Sequence, residues 1–379
     1  MSAGAEVLVL VGTRPELIKL GPVVRALGEG GAGLRAWTVA TGQHRDLVAP
    51  LACELGVRLD EDLAAGRAAQ APLEFHALLL EGLGPLLRER RPAAVLVQGD
   101  TGSAFAGALA AFHAGIPVGH VEAGLRTDDA RNPFPEEMNR RLITRLADLH
   151  FAATARNARV LREEGVPASQ IAVTGNPVVD AVLRTRAETR PSAALVDLLE
   201  RVGDRRLLVL TTHRRESFGD VMAERLTGLR RFSDAHPELA LVFPVHPNPE
   251  VEATADRILG GAAGVLRIPP LPYTDFIHLL DRAWLAVSDS GGVQEEAPSL
   301  GTPVLVIREN TERPEAVEAG VARLVGASPG ALEHALEACV ADPAWVDGVR
   351  SIPNPFGDGK AGVRITEALE GFLAKRGRA

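Results

Sequence analysis

The 379-residue chain is poor in lysine, cysteine and aromatic residues. Its three lysines are Lys19, Lys360 and Lys375, so arginine supplies nearly all of the positive charge. The net charge of −8 does not favour a nucleic-acid surface. Cys53 and Cys339 lie far apart without metal-ligand spacing around them. We therefore expect isolated, buried thiols in a reducing compartment and no nucleic-acid partner.

Long hydrophobic runs are also missing. The segment MSAGAE leads directly into VLVLVG, without the basic start or the long apolar core of a signal peptide. One uncharged run, Thr101 to Gly119, approaches membrane length, but Ser103, His113 and Pro117 favour a buried helix followed by a turn. We predict a soluble cytoplasmic protein that does not associate with membranes.

Two common nucleotide motifs are absent as well. Neither GxGxxG nor GxxxxGK[ST] follows a predicted strand, which argues against NAD and P-loop chemistry. His213 and His246 each follow a predicted strand, but neither has metal-ligand spacing. The sequence therefore predicts no metal site and no cofactor.

What is present is a regular alternation of short apolar runs with longer amphipathic segments. Continuous Val, Leu and Ala runs are typical of strands buried on both faces, as in parallel sheets covered by helices. The predicted strands are Val7–Val11, Ala36–Ala40, Ala93–Val97, Pro117–Val121, Leu149–Ala152, Ile171–Val173, Leu207–Leu210, Leu241–Val245, Val265–Ile268, Trp284–Val287 and Pro303–Ile307. The fold class is α/β, with two doubly wound, Rossmann-like domains facing a cleft.

The domain boundary is predicted after Asn176, where a helix is followed by the polar segment RTRAETRPSAAL. The turn-rich segment NPFGDGKAG precedes the last helix and could return the chain to the first domain. We predict an N-terminal domain of residues 1–176 completed by 362–379, and a second domain of residues 177–361. Ligands of such folds bind at the carboxyl ends of the strands.

The stretch WLAVSDSGGVQEEAPSLGTPVLVI contains a strand, a tight turn, a short helix and a second strand. Adjacent Gly291 and Gly292, after Ser290, allow a ligand to approach the backbone, and the helix start favours a phosphate. Glu296, one turn later, could bind ribose hydroxyls. Glycines that serve packing alone remain the alternative explanation.

The first strand ends in the sequence GTRPE, followed by Lys19. Gly12 permits the sharp turn, and Pro15 suits the first helical position because its missing N–H would be unpaired there. Arg14 and Lys19 near a helix start indicate an anion site. A solvated arginine beside an ordinary turn is the alternative.

Three carboxylates occur at or just beyond consecutive strand ends of the first half. Asp100 follows one strand, Glu122 ends the next among apolar and small residues, and Glu136 opens a helix after NPFPE. Singly, Asp100 could be an N-cap and Glu136 could stabilise a helix dipole. Together, the carboxylates indicate acid and base catalysis, since that chemistry needs several differently tuned groups.

The second half offers further candidates at strand ends. His213 lies beside two arginines and could contact a diphosphate. Phe276 could stack on a base or pack in the core, and Arg313 follows the strand after the SDSGG motif. These residues predict an anionic, nucleotide-like ligand.

Taken in order, the motifs resemble those of the non-hydrolysing UDP-N-acetylglucosamine 2-epimerase family, which has the glycosyltransferase-B type of fold. The matching segments are GTRPELIK, TGQHRD, GDT, GHVEAGLRT, NPFPEEMNR, TGNPVVD, THRRESFG, PVHPNP, SDSGGVQEEAPSLGTPVLV, TERPEAVEAG and NPFGDGKA. They cover nearly the whole chain. The resemblance implies a homodimer that converts UDP-N-acetylglucosamine to UDP-N-acetylmannosamine by elimination of UDP to a glycal and re-addition.

The resemblance also implies a role for each candidate residue. Asp100, Glu122 and Glu136 match the acid and base carboxylates, with His213 beside them at the diphosphate. The implied substrate-binding residues are Arg14, Lys19, Phe276, Ser290, Gly291, Gly292, Glu296 and Arg313.

A second, effector site is known in many bacterial members of the family. Gln43, Arg214 and His246 match it, whereas Asp46 and Ala69 replace residues that are commonly polar or basic. The sequence leaves activation by a second substrate molecule open.

The alternatives are a 2-epimerase of another UDP-2-acetamido sugar, a hydrolysing 2-epimerase, a glycosyltransferase of the same fold, and a binding protein without catalysis. A glycosyltransferase would need an acceptor site and would not need all three carboxylates. The sequence does not assign the acid and base roles among the carboxylates.

Overall fold

A computed structural model describes residues 4–29, 33–67, 70–127, 129–212, 219–326, 328 and 330–377. The contacts within the chain define two units. The N-terminal unit comprises Met1–Ala181 and Phe356–Ala379, and the C-terminal unit comprises Val182–Pro355. The domain boundaries predicted from the sequence, after residue 176 and before residue 362, stay predictions.

The N-terminal unit is built on a seven-stranded parallel sheet. Its strands are β1 (Ala5–Val11), β2 (Leu34–Ala40), β3 (Glu61–Asp62), β4 (Ala94–Gln98), β5 (Val118–Ala123), β6 (Leu149–Ala152) and β7 (Ile171–Val173). They lie in the order β3-β2-β1-β4-β5-β6-β7. The central strands are buried along their length because Val, Leu and Ala side chains pack against helices on both faces.

The helices of this unit connect successive strands. They are α1 (Arg14–Glu29), α2 (Arg45–Leu55), α3 (Pro72–Arg90), α4 (Gly102–His113), α5 (Glu136–Leu146), α6 (Ala155–Glu163) and α7 (Pro177–Glu188), the last of which continues into the C-terminal unit. The last helix of the chain, α16 (Ala361–Arg376), belongs to this unit and packs on α1. A Cβ on Gly362 would lie 2.8 Å from the Pro22 carbonyl oxygen, so this helix contact requires glycine.

The uncharged run that begins at Thr101 forms α4. The Thr101 hydroxyl accepts the Ala104 N–H at 3.0 Å and so caps the helix. Within the described ranges, no helix combines the length and the apolar character needed to cross a membrane.

The C-terminal unit has a six-stranded parallel sheet. In chain order its elements are α8 (Ala193–Val202), β8 (Arg206–Thr211), α9 (Asp220–Ala235), β9 (Leu239–Pro244), α10 (Pro249–Leu259), β10 (Val265–Ile268), α11 (Tyr273–Arg282), β11 (Leu285–Ser288), α12 (Gly291–Glu296), β12 (Val304–Val306), α13 (Pro314–Glu318), β13 (Ala322–Leu324), α14 (Ala331–Ala341) and α15 (Ala344–Gly348). The strand order is β10-β9-β8-β11-β12-β13. The predicted α/β class with two doubly wound sheets is thus confirmed.

Strand order fixes where each unit can bind a ligand. In both sheets the order reverses at one place, between β1 and β4 in the N-terminal unit and between β8 and β11 in the C-terminal unit. Loops that leave the carboxyl ends of these strands diverge to opposite faces, which opens a crevice there. Gly12 and Asp100 follow β1 and β4, and Asp289 follows β11.

Asp180, on α7, holds the start of α16. Its two carboxylate oxygens accept the Ala361 N–H at 3.1 Å and the Gly362 N–H at 2.8 Å. Burial raises the pKa of this carboxyl, and the two backbone donors oppose that shift. We expect Asp180→Ala to destabilise the protein by about 1–2 kcal/mol, as for loss of a helix cap.

Thermal denaturation of Asp180→Ala beside Asp358→Ala tests this cap. Asp358 pairs with Arg364 on the surface, where such a pair contributes little, so its variant should melt within about 2 °C of the native protein. Equal melting temperatures for the two variants would contradict the capping role of Asp180.

Candidate active site

Glu122 lies at the end of β5 in an unusual backbone conformation. Its φ is 65°, and the pairing register between β5 and β6 shifts across this residue. The left-handed region is unfavourable for a glutamate by on the order of 1 kcal/mol, so the surrounding contacts must offset this strain. The strained backbone turns the side chain into a polar pocket within the N-terminal unit.

Three donors hold the Glu122 carboxylate, and we call them the Glu122 cradle: Lys19, Gln98 and Asn176. The Lys19 ammonium and the Asn176 amide donate to Oε1, the latter at 3.1 Å, and the Gln98 amide donates to Oε2. Glu122 is 7% exposed. All three groups are donors, so together they hold the carboxylate in one place.

Asp100, after β4, is held by α5. The Arg140 guanidinium donates to its carboxylate, and the Asn139 amide donates to its backbone carbonyl at 2.9 Å. Arg140 is 4% exposed and also donates to Glu137 at 3.2 Å. The second candidate carboxylate is therefore also positioned by a buried cation.

Glu136 and its neighbour Glu137 have different environments in the first turn of α5. Glu137 is fully buried and accepts hydrogen bonds from the Thr127 N–H, Arg140 and Arg141. Glu136 is only half-buried. Glu137 thus anchors the loop and the helix, whereas the role predicted for Glu136 remains a proposal.

The Gly12 turn is closed by the protein itself. One oxygen of the Glu16 carboxylate accepts the Gly12 N–H at 2.9 Å and the Thr13 N–H at 2.6 Å, and the other accepts the Thr101 hydroxyl at 2.6 Å. This arrangement is that of a capping box, in which a carboxylate in the first turn reaches back to the helix start. The backbone donors predicted to receive an anion are thus already occupied.

The two cations predicted at this turn differ in their surroundings. Lys19 is buried in the Glu122 cradle, and Arg14 is half-buried in the first turn of α1. The anion-binding role predicted for them remains a proposal. A Cβ on Gly12 would lie 2.0 Å from the Ser103 hydroxyl, so the close packing of α4 is a sufficient reason for this glycine.

Burial raises the pKa of Glu16 to about 7, against the opposing effect of its hydrogen bonds to Thr101, Gly12 and Thr13. In the unfolded chain this carboxyl would ionise near pH 4.5. The folded protein therefore binds one proton more than the unfolded chain between these pH values. Its free energy of unfolding should fall as the pH rises from about 4.5 to about 7, by about 3 kcal/mol for this group.

Glu16→Gln tests this pH dependence. Its amide oxygen can accept the two backbone N–H groups and its NH₂ can donate to Thr101, so the loop keeps its bonds. We expect the difference in urea midpoint, variant minus native protein, to increase as the pH rises from 5 to 8. Parallel pH profiles for the two proteins would show that Glu16 does not carry a raised pKa.

Two buried histidines, His120 and His150, lie side by side on β5 and β6. His120 donates from Nε2 to the Gly99 carbonyl at 2.7 Å, next to Asp100. Burial lowers the pKa of His120 to about 3 and that of His150 to about 4, so both are neutral near pH 7. His120 thus supports the turn that carries Asp100.

The C-terminal unit gathers a second group of candidates at the start of α12. Ser290 caps this helix by accepting the Val293 N–H at 3.5 Å. A Cβ on Gly292 would lie 3.6 Å from the Ser290 hydroxyl and 4.0 Å from the Glu296 carboxylate. The structure therefore brings Ser290, Gly292 and Glu296 together on one side of the helix.

Arg313 lies against Gly291. A Cβ at position 291 would come within 2.7 Å of the guanidinium carbon, so only glycine allows this approach. The guanidinium donates to Glu295 at 2.9 Å and to Glu312 at 2.8 Å. Glu295 therefore orients the arginine, and the ribose-binding role predicted for Glu296 stays a prediction.

The remaining candidates are more scattered. Phe276 is half-buried on α11, and His246 is exposed after β9. Gln43 belongs to the N-terminal unit, where its amide oxygen accepts the Ser103 hydroxyl at 2.7 Å. His213 and Arg214 lie outside the described residues. Among the residues that are described, no group of three or more His, Cys, Asp or Glu could hold a metal ion.

Comparisons with known proteins identify the relatives of this chain. The profile of the UDP-N-acetylglucosamine 2-epimerase family matches residues 29–370. The UDP-N-acetylglucosamine 2-epimerase of Escherichia coli K12 is 42% identical over 370 residues, which cover 96% of this chain and 98% of that protein.

Solved structures show the same likeness. The UDP-GlcNAc 2-epimerase of Neisseria meningitidis, bound to UDP-GlcNAc, is 36% identical with a TM-score of 0.87, over 96% of this chain and 99% of that chain. The glycosyltransferase of kitacinnamycin is only 15% identical but has a TM-score of 0.63 over 99% of each chain, a likeness of fold alone, of the glycosyltransferase-B type. This chain belongs to the UDP-N-acetylglucosamine 2-epimerase family.

Proposed function

We propose that the protein is an isomerase that interconverts UDP-N-acetylglucosamine and UDP-N-acetylmannosamine without hydrolysis. The observation that carries this proposal is the pair of carboxylates, Asp100 and Glu122, at the carboxyl ends of adjacent strands β4 and β5. Each is held by a buried cation, Arg140 or Lys19. An inversion at carbon needs such a pair of groups to move protons.

The chemistry explains why deprotonation alone is insufficient. The hydrogen on C2 of the sugar is next to an acetal carbon and is not acidic. When the bond between C1 and the diphosphate oxygen breaks, UDP leaves with the bonding electrons and C1 becomes electron-poor. A carboxylate can then take the C2 proton, which leaves a glycal with a C1–C2 double bond.

The return step restores the sugar nucleotide. UDP adds to C1 while a proton is delivered to C2 on the face opposite to the one that lost it, so C2 is inverted and all atoms are conserved. A base and an acid are needed on opposite faces, and we assign these tasks to Glu122, Asp100 and Glu136 together. The hydrogen bonds to Glu122 and Asp100 hold both carboxylates in defined positions at the strand ends.

The leaving group must stay bound between the two steps. We propose that Ser290, Gly291 and Gly292 hold the diphosphate of UDP, that Glu296 binds the ribose and that Phe276 lies against the uracil. The proposed contacts to the diphosphate and the sugar come from Arg14, Lys19, His213 and Arg313. The crystal structure of the Neisseria meningitidis relative with UDP-GlcNAc supports a UDP-sugar ligand. Cationic groups stabilise the departing diphosphate and lower the barrier to its loss.

The product of the reaction suggests the role of the enzyme in the cell. We propose that the enzyme acts in the cytoplasm as a homodimer and supplies activated N-acetylmannosamine for cell-surface polysaccharide. Gln43, Arg214 and His246 are the residues that we assign to an effector site for a second UDP-sugar.

Conversion from both directions tests the proposed reaction. The purified protein is incubated separately with UDP-N-acetylglucosamine and with UDP-N-acetylmannosamine, and the products are separated by anion-exchange chromatography. We expect the same mixture of the two UDP-sugars from either start. Release of UDP and free sugar in equal amounts would instead indicate a hydrolysing 2-epimerase, and an unchanged substrate would contradict both.

A further inference from the structure

Asn176 occupies the junction where the N-terminal unit ends its sheet and begins α7. It is 1% exposed, and its backbone N–H donates to the Phe356 carbonyl at 2.7 Å. Phe356 opens the segment that returns to the N-terminal unit, so two distant parts of the chain meet here. The backbone of Asn176 is therefore held by the returning segment that begins at Phe356 as well as by α7.

The orientation of the Asn176 amide is determined by its neighbours. The amide oxygen accepts the Val178 N–H at 3.1 Å, a group that can only donate. The amide nitrogen must then face the other way, where it donates to Oε1 of Glu122 at 3.1 Å. One side chain thus serves as the N-cap of α7 and as part of the Glu122 cradle.

The three members of the cradle hold Glu122 in different ways. Lys19 supplies charge through a flexible side chain with freely rotating donors. Gln98, on β4, donates to Oε2 from one side. Asn176 has a short, buried side chain, and both its backbone N–H and its amide oxygen are hydrogen-bonded to backbone groups. Its amide nitrogen therefore donates from one defined place.

We propose that Asn176 is a positioning residue that fixes the Glu122 carboxylate for proton transfer at C2. This inference rests on the proposed epimerase function and adds a residue to it. Glu122 has a left-handed backbone with φ of 65°, and the register between β5 and β6 shifts across it, so side-chain donors such as Asn176 must offset this strain and hold the carboxylate. Loss of the donor should let the carboxylate move away from its reactive position while UDP remains bound.

Asn176→Asp separates the two tasks of this residue. An aspartate can still accept the Val178 N–H and cap α7, but it places a second carboxylate oxygen where Glu122 needs a donor. We expect kcat to fall roughly 10- to 100-fold, as for loss of a hydrogen bond to a charged group, with KM and UDP affinity within about threefold of the native values.

Val178→Ala is the matched control. Val178 is buried beside Asn176, and its truncation leaves a cavity without removing a contact to Glu122. We expect this variant to melt at a lower temperature than the native protein and to keep a kcat within about threefold of native. Each variant is assayed with saturating UDP-N-acetylglucosamine, and its melting temperature is recorded in the same buffer.

These assays distinguish a failure of the positioning role of Asn176 from a failure of the proposed epimerase function. A native protein that does not interconvert the UDP-sugars overturns the proposed function and this inference together. An active native protein with an unchanged kcat in Asn176→Asp overturns the inference alone. So does an equal loss of kcat in Val178→Ala, because the loss would then follow from stability.

Discussion

Arg140→Leu is expected to abolish measurable epimerisation and to destabilise the protein by about 3 kcal/mol. The guanidinium of Arg140 is buried between two carboxylates, those of Asp100 and Glu137. Its removal leaves Glu137, which is fully buried, with one cation fewer, and it releases Asp100 from the position imposed by α5. Thermal denaturation and the rate of UDP-sugar interconversion measure the two effects.

Arg141→Leu provides the comparison. Arg141 donates to the same Glu137 at 2.7 Å, but its side chain is 38% exposed and it has no hydrogen bond to Asp100. We expect a loss of about 1 kcal/mol and a kcat within about threefold of native. If the two arginine variants lost equal activity, Asp100 would not be the residue through which Arg140 acts.

Glu122→Gln is expected to lower kcat by about 10³-fold or more, because an amide cannot take a proton from carbon. Glutamine matches the carboxylate in shape, but its NH₂ must face a cradle made of donors, which also removes the defined orientation of the side chain. Asp100→Asn is expected to have an effect of similar size. UDP affinity, measured by titration calorimetry, should stay within about threefold of native because neither Glu122 nor Asp100 is itself assigned to UDP.

Glu163→Gln controls for the loss of one negative charge. The Glu163 side chain is 67% exposed in the same unit, and its pairing with Arg159 is at the surface. Its kcat should equal that of the native protein. A native rate of exchange at C2 in Glu122→Gln or in Asp100→Asn would remove that residue from the proposed mechanism.

Much of this architecture could be predicted from the sequence because its signals are local. Continuous apolar runs marked the central strands, and glycines and carboxylates directly after them marked the loops at the carboxyl ends. The edge strands β3 and β13 were missed because they have two and three residues and no apolar run. Strands of that length owe their conformation to their neighbours rather than to their own residues.

The supporting residues of the site could not be predicted in the same way. Asn176 lies 54 residues from Glu122, and Arg140 lies 40 residues from Asp100, so only the folded chain brings them together. Within the sequence, Arg140 is one arginine of a charged helix and Asn176 is an ordinary residue before proline. The role of the Glu16 carboxylate is not evident from the sequence for another reason, since Gly12 followed by Arg14 and Lys19 has the pattern of a site for an external anion.

Deuterium incorporation at C2 directly tests whether the reaction proceeds by elimination of UDP and re-addition. The protein is incubated with UDP-N-acetylglucosamine in deuterated water, and the reaction is followed by proton NMR. We expect UDP-N-acetylmannosamine together with loss of the C2 proton signal in both epimers. Epimerisation with the original proton retained at C2 would contradict elimination and re-addition, and the absence of any exchange or product would contradict the proposed function itself.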